Sequence, residues 1–128
     1  MPIAYERDDE RRLITVTMTE PVSIVELLGV IDRQDAENTW DYALLYDRRA
    51  MTTASTSAEF AQIIHHVRVL GGGRARGPVG VALQQEVTAI RATLANAESM
   101  VDALTFEILL TTPQLEDWLR RHAPPRQA

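Results

Sequence analysis

Alternating apolar and polar residues predict that the chain opens with two β-strands. Residues 3–7 and 13–19 are separated by the polar stretch "DDER", a pattern typical of an antiparallel hairpin. The second segment alternates between apolar and hydroxyl side chains, at Ile14, Thr15, Val16, Thr17 and Met18. This period of two predicts that one face of the strand is buried and that the other is wetter.

The first helix is predicted to begin after Pro21. Ser23 and Glu26 stand three residues apart, the spacing of a capping box, in which two side chains accept hydrogen bonds from backbone N–H groups at a helix start. Apolar residues then recur at helical spacing, at Ile24, Leu27, Leu28 and Ile31. We therefore expect a helix whose apolar stripe packs on a sheet.

A strand and a second helix are predicted next. The run "YALLY", residues 42–46, is almost continuously apolar, as expected of a central strand that is covered on both faces. The following helix is expected to begin at Thr56 or Ser57, where "TSAE" gives a second capping box. Three glycines, residues 71–73, are expected to end it with a left-handed C-cap. Its buried stripe would consist of Phe60, Ile63, Ile64, Val67 and Leu70.

The same pattern occurs twice more towards the C-terminus. Residues 79–83 predict a buried strand and residues 86–97 a helix. Residues 104–110 predict the last strand, after which Thr112 and Pro113 are expected to cap and open a short helix. That helix would carry Leu115, Trp118 and Leu119 on its buried side.

These elements define an α/β fold in the order ββαβαβαβα. We expect a mixed β-sheet in which an N-terminal hairpin is followed by right-handed βα units. Thr15, Thr17 and Glu107 on otherwise apolar strands indicate that helices leave part of one sheet face uncovered, and that part is a candidate dimer surface. A chain of 128 residues has the size of one domain, which we assign to residues 1–122, followed by a disordered tail at residues 123–128.

Composition narrows the possible functions. The 13 basic residues are all Arg, and 18 acidic residues outnumber them, so that a net charge of −5 argues against nucleic-acid binding. The absence of Lys excludes Schiff-base chemistry, and the absence of Cys excludes disulfides and thiolate nucleophiles. No apolar run is long enough to cross a membrane and no apolar leader is visible, so we expect a cytoplasmic protein without membrane insertion.

Four stretches, which together cover nearly the whole domain, resemble the SpoIIAA-like, or STAS-like, fold group and its small stand-alone bacterial members. They are "IAYERDDERRLITVTMTEPVS", "WDYALLYDRRAMTT", "VGVAL" and "LTFEILLTTPQLEDWL". The resemblance implies a SpoIIAA-like fold and a non-enzymatic regulatory role. In anti-sigma-factor antagonists of this group, a phosphorylatable serine in an Asp-Ser-Ser-Gly-like motif opens the helix after the third strand. The corresponding stretch here is "STSA", in which Ser55 replaces the acid and Ala58 replaces the glycine.

Thr56 and Ser57 are therefore candidates for a phosphoswitch or for a plain helix cap. A phosphate on either hydroxyl would lie at a helix N-terminus, where free N–H groups and the helix dipole favour negative charge. Arg48 and Arg49 would be the nearest cations to such a phosphate. Capping explains the same residue types without phosphorylation.

Asp47 follows the central strand, at the edge where open α/β sheets usually bind ligands. A receiver-type phosphoacceptor would need a lysine, which the chain lacks, as well as further acids for a magnesium ion. We expect instead that Asp47 accepts hydrogen bonds from the next loop or pairs with Arg48 or Arg49. These three residues are candidate ligand or partner contacts.

Asp35 and Asn38 continue the stripe of Ile24, Leu28 and Ile31 into polar residues. They are expected to face inward or over the sheet rim, where they would line a small pocket with Trp40 and Tyr42. A helix that runs past the edge of the core explains them equally well.

Two other motifs carry little functional signal. His65 and His66 are adjacent and diverge on a helix, so we expect solvent-facing histidines and no metal site. The glycine run follows a helix instead of preceding one, which is the wrong order for a nucleotide loop. Arg74 and Arg76 beyond it are left as candidate anion contacts.

The sequence favours a non-enzymatic binding or regulatory module that acts on a protein partner, with homodimerisation left open. A small-molecule or lipid-binding domain with an apolar pocket is the alternative. We do not expect an enzyme, because no nucleophile, base and orienting residue occur in a recognisable spacing. No cofactor is expected.

Overall fold

Five strands and three helices occupy the residues that the structure, a computed structural model, describes, namely 3–51, 57–83, 106–109 and 111–124. In chain order they are β1 (Ile3–Asp8), β2 (Leu13–Met18), α1 (Ile24–Glu37), β3 (Ala43–Asp47), α2 (Ser57–Gly71), β4 (Val79–Ala82), β5 (Phe106–Leu109) and α3 (Thr112–His122). The predicted α/β class and mixed sheet are confirmed. The helix predicted at residues 86–97 lies outside the described residues.

All five strands form one sheet in the order β1-β2-β3-β4-β5. β1 runs antiparallel to β2, and each later strand is parallel to its predecessor. When each new parallel strand joins the same edge of the sheet and every crossover has the same handedness, the connecting helices lie on the same face of the sheet. α1 and α2 accordingly pack together on one face, whereas α3 packs on the other.

The first core lies between the sheet and the helices α1 and α2. Ile14, Val16 and Met18 of β2 point into it, whereas Thr15 and Thr17 are partly exposed, so the predicted period of two is confirmed. From α2, Ile64 and Val67 are buried in this core. The buried face of α1 consists of Leu27, Val30, Ile31 and Gln34.

Of the two positions predicted for Asp35 and Asn38, inward or over the sheet rim, the structure excludes the inward one. The buried face of α1 is rotated so that Gln34, one position earlier, takes the fully buried site. Asn38 is exposed in a left-handed conformation with φ 59°, and the side chain of Asp35 is 38% exposed. A polar group can occupy the core at Gln34 because its amide is hydrogen-bonded on both sides, as described below.

The second core lies under α3. Trp118 is 1% exposed and packs on Gly80, where an added Cβ would lie only 2.8 Å from Cε2 of the indole. β4 therefore needs a residue without a side chain at this point. The surrounding buried residues are Leu13, Ala43, Leu45, Ala82, Leu109, Leu115 and Ala123.

Local signals in the sequence fix most helix ends. The predicted capping box of Ser23 and Glu26 is present, and α2 ends in glycines with φ of 54° at Gly72 and 92° at Gly73, as predicted. α3 differs by one residue, because its N-cap is Thr111 and not Thr112. The Thr111 hydroxyl accepts from the backbone N–H of Gln114 at 3.2 Å, a reciprocal box that leaves Thr112 inside the first turn.

The sheet is open at its hairpin end. Ala4 and Glu6 are exposed and Thr15 and Thr17 are half-buried on the face opposite α1, in agreement with the predicted uncovered region. β1 is the edge strand, and its last three residues, Glu6, Arg7 and Asp8, are all exposed and charged. At the other end of the chain, Ala123 is fully buried and its carbonyl oxygen accepts from Arg11 at 2.9 Å.

Gly77 provides a test of how tightly the segment after α2 packs on the start of β3. A Cβ at Gly77 would lie 2.6 Å from the carbonyl oxygen of Asp41 and closer still to that of Tyr42, and backbone atoms cannot move aside cheaply. We expect Gly77→Ala to lower the free energy of unfolding by roughly 3 kcal/mol in chemical denaturation.

Gly29→Ala is the matched control, since a Cβ at Gly29 meets nothing within 4 Å and the residue lies inside α1. It should raise the free energy of unfolding by about 0.5–1 kcal/mol. Equal effects of the two substitutions would contradict the described packing.

Candidate functional site

A pocket of about 420 Å³ opens where α1 leads into β3, at the amino ends of the parallel strands. We call it the amino-end pocket. Three of its residues, Asn38, Trp40 and Tyr42, belong to the group of four that the sequence predicted, whereas the fourth, Asp35, does not line the pocket but pairs with Arg74. The full lining is Arg12, Asn38, Trp40, Asp41, Tyr42, Arg74 and Ala75.

The turn after α1 sets the position of the two aromatic residues. Asn38 caps the helix in the left-handed conformation, and its N–H donates to the carbonyl of Asp35 at 3.2 Å. Thr39, fully buried, then donates its N–H to the carbonyl of Gln34 at 3.0 Å. The chain thereby reverses, so that Trp40 and Tyr42 enter the first core while their edges reach the pocket.

Arginine side chains cover the aromatic rings of this edge. The guanidinium carbons of Arg74 and Arg76 lie 4.9 Å and 4.5 Å from the centre of the Trp40 ring system. Arg12 lies 4.9 Å from the ring centre of Tyr42. These distances are those of cation–π contacts, which hold the cations in place over the rings.

Carboxylates neutralise most of these cations. Three ion pairs flank the pocket: Arg12 with Asp41, Arg74 with Asp35 at 2.6 Å, and Arg7 with Asp9 at 2.6 Å. The hydrogen bond from Arg7 lowers the pKa of Asp9, with a second contribution from Tyr42, whose hydroxyl donates to Asp9 at 2.8 Å. The pairs are solvent-exposed and hence open to exchange with other anions.

Arg76 differs from its neighbours. Its Nη2 donates to Oε1 of Gln34 at 2.7 Å, whereas its Nη1 is buried without a hydrogen-bond partner. The amide nitrogen of Gln34 donates in turn to the carbonyl of Thr39 at 3.3 Å. Desolvation lowers the pKa of Arg76, and none of the residues that the structure describes forms a carboxylate ion pair with it. Gln34 was not predicted because it is polar, although its spacing of three residues from Ile31 and seven from Leu27 places it on the apolar stripe.

Tyr5 and Glu37 form the hairpin side of this edge. The hydroxyl of Tyr5 donates to Glu37 at 3.1 Å, and Arg33 lies 3.8 Å from the Tyr5 ring centre. Burial, together with the negative charge of Glu37, raises the pKa of Tyr5 to about 12. Burial opposes the charged form of Glu37, but hydrogen bonds from Arg33 and Tyr5 lower its pKa on balance.

The raised pKa of Tyr5 predicts an alkaline loss of stability. An unfolded tyrosine ionises near its ordinary pKa of 10.0, and folded Tyr5 resists ionisation up to about pH 12. Stability that is fully present below pH 10.0 should therefore fall as the pH rises towards 12. Denaturation midpoints across this range should fall less in Tyr5→Phe than in the wild type. Parallel pH profiles of the two proteins would count against the burial of Tyr5.

The carboxyl edge of the sheet carries the second group of predicted residues. Asp47 accepts from Nε of Arg49 at 2.9 Å and from Nη2 at 2.8 Å, a bidentate pair, as well as from the Arg49 N–H at 3.1 Å. The sequence predicted that Asp47 accepts hydrogen bonds from the next loop or pairs with Arg48 or Arg49. Arg48 is 8% exposed. Desolvation lowers its pKa, and electrostatic attraction to Glu59, Tyr46 and Glu20 raises it by a smaller amount.

A smaller pocket of about 190 Å³ lies beside this pair, between the strand ends and the start of α3. It is lined by Arg49, Ala82, Leu83, Leu109, Thr111, Thr112 and Leu115. Ser57 begins α2 at the predicted position, whereas Thr56 and the predicted capping box with Glu59 lie outside the described residues. The phosphoswitch therefore stays a prediction.

The pair at Asp47 predicts an acid dependence of stability. The hydrogen bond from Arg49 lowers the pKa of Asp47 below its usual 3.8, so the ion pair stabilises the fold above that value and is lost as the pH falls through the folded pKa. Asp47→Asn should cost about 0.5–1 kcal/mol of unfolding free energy at neutral pH and nothing in strong acid. A difference that stays constant down to strong acid would contradict this pairing.

His65 and His66 diverge as expected. His65 is exposed, whereas His66 lies beside Asp32 of α1 with Nε2 2.6 Å from Oδ1, so it links the two helices. In the described ranges, no three His, Asp or Glu side chains are grouped so that they could hold a metal ion. No helix of the described part of the chain has the length and apolar character that crossing a membrane requires.

Comparisons with protein-family models, with curated proteins and with solved structures find no match to this chain. The function must therefore be argued from the site itself.

Proposed function

We propose that this chain is a non-enzymatic binding or regulatory module that engages a protein partner at the amino-end pocket. The observation that supports this proposal is the set of residues that line the pocket. Trp, Tyr and Arg are the residues that dominate binding energy at protein interfaces, and the pocket combines Trp40, Tyr42, Arg12 and Arg74 in one open depression. Its aromatic residues are held rigidly by the core, which reduces the ordering cost of binding.

The titration of the tyrosines supports a non-enzymatic role. An activated nucleophile or base needs a pKa shifted towards neutral pH. The hydrogen bond to Asp9 raises the pKa of Tyr42, and desolvation raises that of Tyr46, so both move away from neutrality, as Tyr5 does. Asp35 and Asp41 are engaged by arginines. Asp9 accepts from the Tyr42 hydroxyl as well as from Arg7, but this contact raises the pKa of the tyrosine and does not activate it.

Among the described residues, the sizes and linings of these two pockets favour a protein partner over an apolar ligand. The amino-end pocket is lined mainly by charged and polar groups. The pocket near Arg49 is more apolar, but its volume of about 190 Å³ is below the range of roughly 300–1,000 Å³ that is usual for small-molecule sites. A regulatory role also agrees with the resemblance to the SpoIIAA-like group, which we retain together with a cytoplasmic location as part of the proposal.

Site-directed photo-cross-linking in native cells tests the proposal. A photoreactive residue in place of Ala75, which is exposed and lines the pocket, should give a discrete protein adduct. The same group in place of Glu116, exposed on α3, is the control and should not give that adduct. Identical adducts from both positions would sink the proposal.

A substitution pair measures the strength of the contact. Arg74→Ala should reduce the Ala75 adduct and weaken binding of the captured partner about tenfold, as loss of an interface arginine typically does. Arg120→Ala is the matched control, because Arg120 is also exposed and paired with an acid, Asp117, at 3.0 Å. Equal binding by both variants would show that the partner does not use the pocket.

A further inference from the structure

We infer that the amino-end pocket recognises carboxylates on an acidic segment of its partner, and that the partly buried Arg76 supplies the unbalanced positive charge for this recognition. The inference rests on the proposed function, since it names the chemistry of the partner at the same site. It begins from the distribution of charge around the pocket.

Three acids that flank the pocket are each engaged by an arginine. Asp41 pairs with Arg12, Asp35 with Arg74 and Asp9 with Arg7. In the described part of the chain, Arg76 is left as the guanidinium of this edge without a carboxylate. Arg76 therefore adds a positive charge that these three pairs do not balance, although the net charge of the whole chain is −5.

Arg76 acts on the pocket through Trp40. Its guanidinium carbon lies 4.5 Å from the centre of the Trp40 ring, and Trp40 forms part of the pocket wall. The Nη1 atom is shielded from solvent and has no hydrogen-bond partner, so water and counterions screen this charge poorly. An anion in the pocket gains attraction from a charge that it does not touch, which makes Arg76 a positioning residue.

The rim arginines provide the direct contacts. The side chains of Arg12 and Arg74 are 58% and 42% exposed, so both retain donors that face solvent beside their own acids. Guanidinium groups bind carboxylates in a planar, two-pronged geometry. Trp40 and Tyr42, which are 4% and 9% exposed, add only the small part of each ring that reaches the pocket wall.

A purely structural role for Arg76 makes a different prediction. Its hydrogen bond to Gln34 could hold the turn after α1, in which case any replacement should destabilise the fold. A buried charge without a counterion is instead a liability, and an apolar side chain of similar size at such a position is often neutral or stabilising. Arg76→Met combined with Gln34→Met separates these roles, because the pair removes the charge, keeps the volume and leaves no buried amide without its partner.

The experiment uses two hexapeptides with blocked ends and the full-length chain. One peptide alternates Glu with Gly, and the other has Gln in place of Glu. Binding is followed by the indole N–H resonance of Trp40 in a titration. The Glu peptide should shift this resonance and the Gln peptide should not, and added salt should weaken binding.

Arg76→Met in a Gln34→Met background should weaken Glu-peptide binding about tenfold relative to Gln34→Met alone, while the unfolding midpoint stays the same as in Gln34→Met or rises. Arg76→Lys, which keeps a positive charge, should retain most of the binding and guards against a poorly folded Met variant. Equal binding of the two peptides, or full binding by Arg76→Met in the Gln34→Met background, would overturn the inference.

The two proposals fail separately. If the Ala75 adduct persists in excess Glu peptide, the proposal of a protein partner stands and the inference that the partner presents an acidic segment is overturned. If the Glu peptide binds but no Ala75 adduct forms in cells, the inference of carboxylate recognition stands and the proposal of a protein partner is overturned.

Discussion

The close approach of backbone and indole at the end of α2 is the constraint on which the amino end of this molecule depends. The Trp40 ring packs so closely on Gly71 that a Cβ added to this glycine would lie 3.1 Å from Cζ2 of the indole. Gly77 packs in the same way on the backbone carbonyls of Asp41 and Tyr42. The end of α2 and the start of β3 are thereby held together, with Trp40 between them. The positions of Arg74 and Arg76, and with them the pocket, follow from this packing.

Signals that act over a few residues were predictable from the sequence, and signals that act over many were not. The period of two in β2, the Ser23 capping box and the glycine end of α2 each depend on neighbouring residues, and each is found as predicted. The buried face of α1 was misplaced because its apolar residues span a broad arc that fits two orientations. The choice is made by Gln34, whose partner Arg76 is 42 residues away. The N-cap of α3 was misplaced because two adjacent threonines precede Pro113.

The candidate site shows the same division. Asn38, Trp40 and Tyr42 are close in sequence and could be grouped in advance, but Arg12 comes from the hairpin turn and Arg74 from the segment after α2. Net charge was also a poor guide, since the acids outnumber the arginines overall while local pairing leaves Arg76 unbalanced. At the carboxyl edge, where open α/β sheets usually bind ligands, Asp47 is already saturated by Arg49.

The charged end of β1 has a consequence for how the molecule behaves at high concentration. An edge strand exposes unpaired N–H and C=O groups, onto which another strand can add. Two copies could pair through antiparallel β1 strands so that the same faces of their sheets join. Even-numbered residues of one β1 would then stand opposite even-numbered residues of the other, and Glu6 would face Glu6, Ala4 or Asp8 of the second copy. In the registers that place Glu6 opposite itself or Asp8, repulsion between the acids disfavours growth of the sheet from one molecule to the next. The charges at the end of β1 thus work against strand addition at the edge of the sheet.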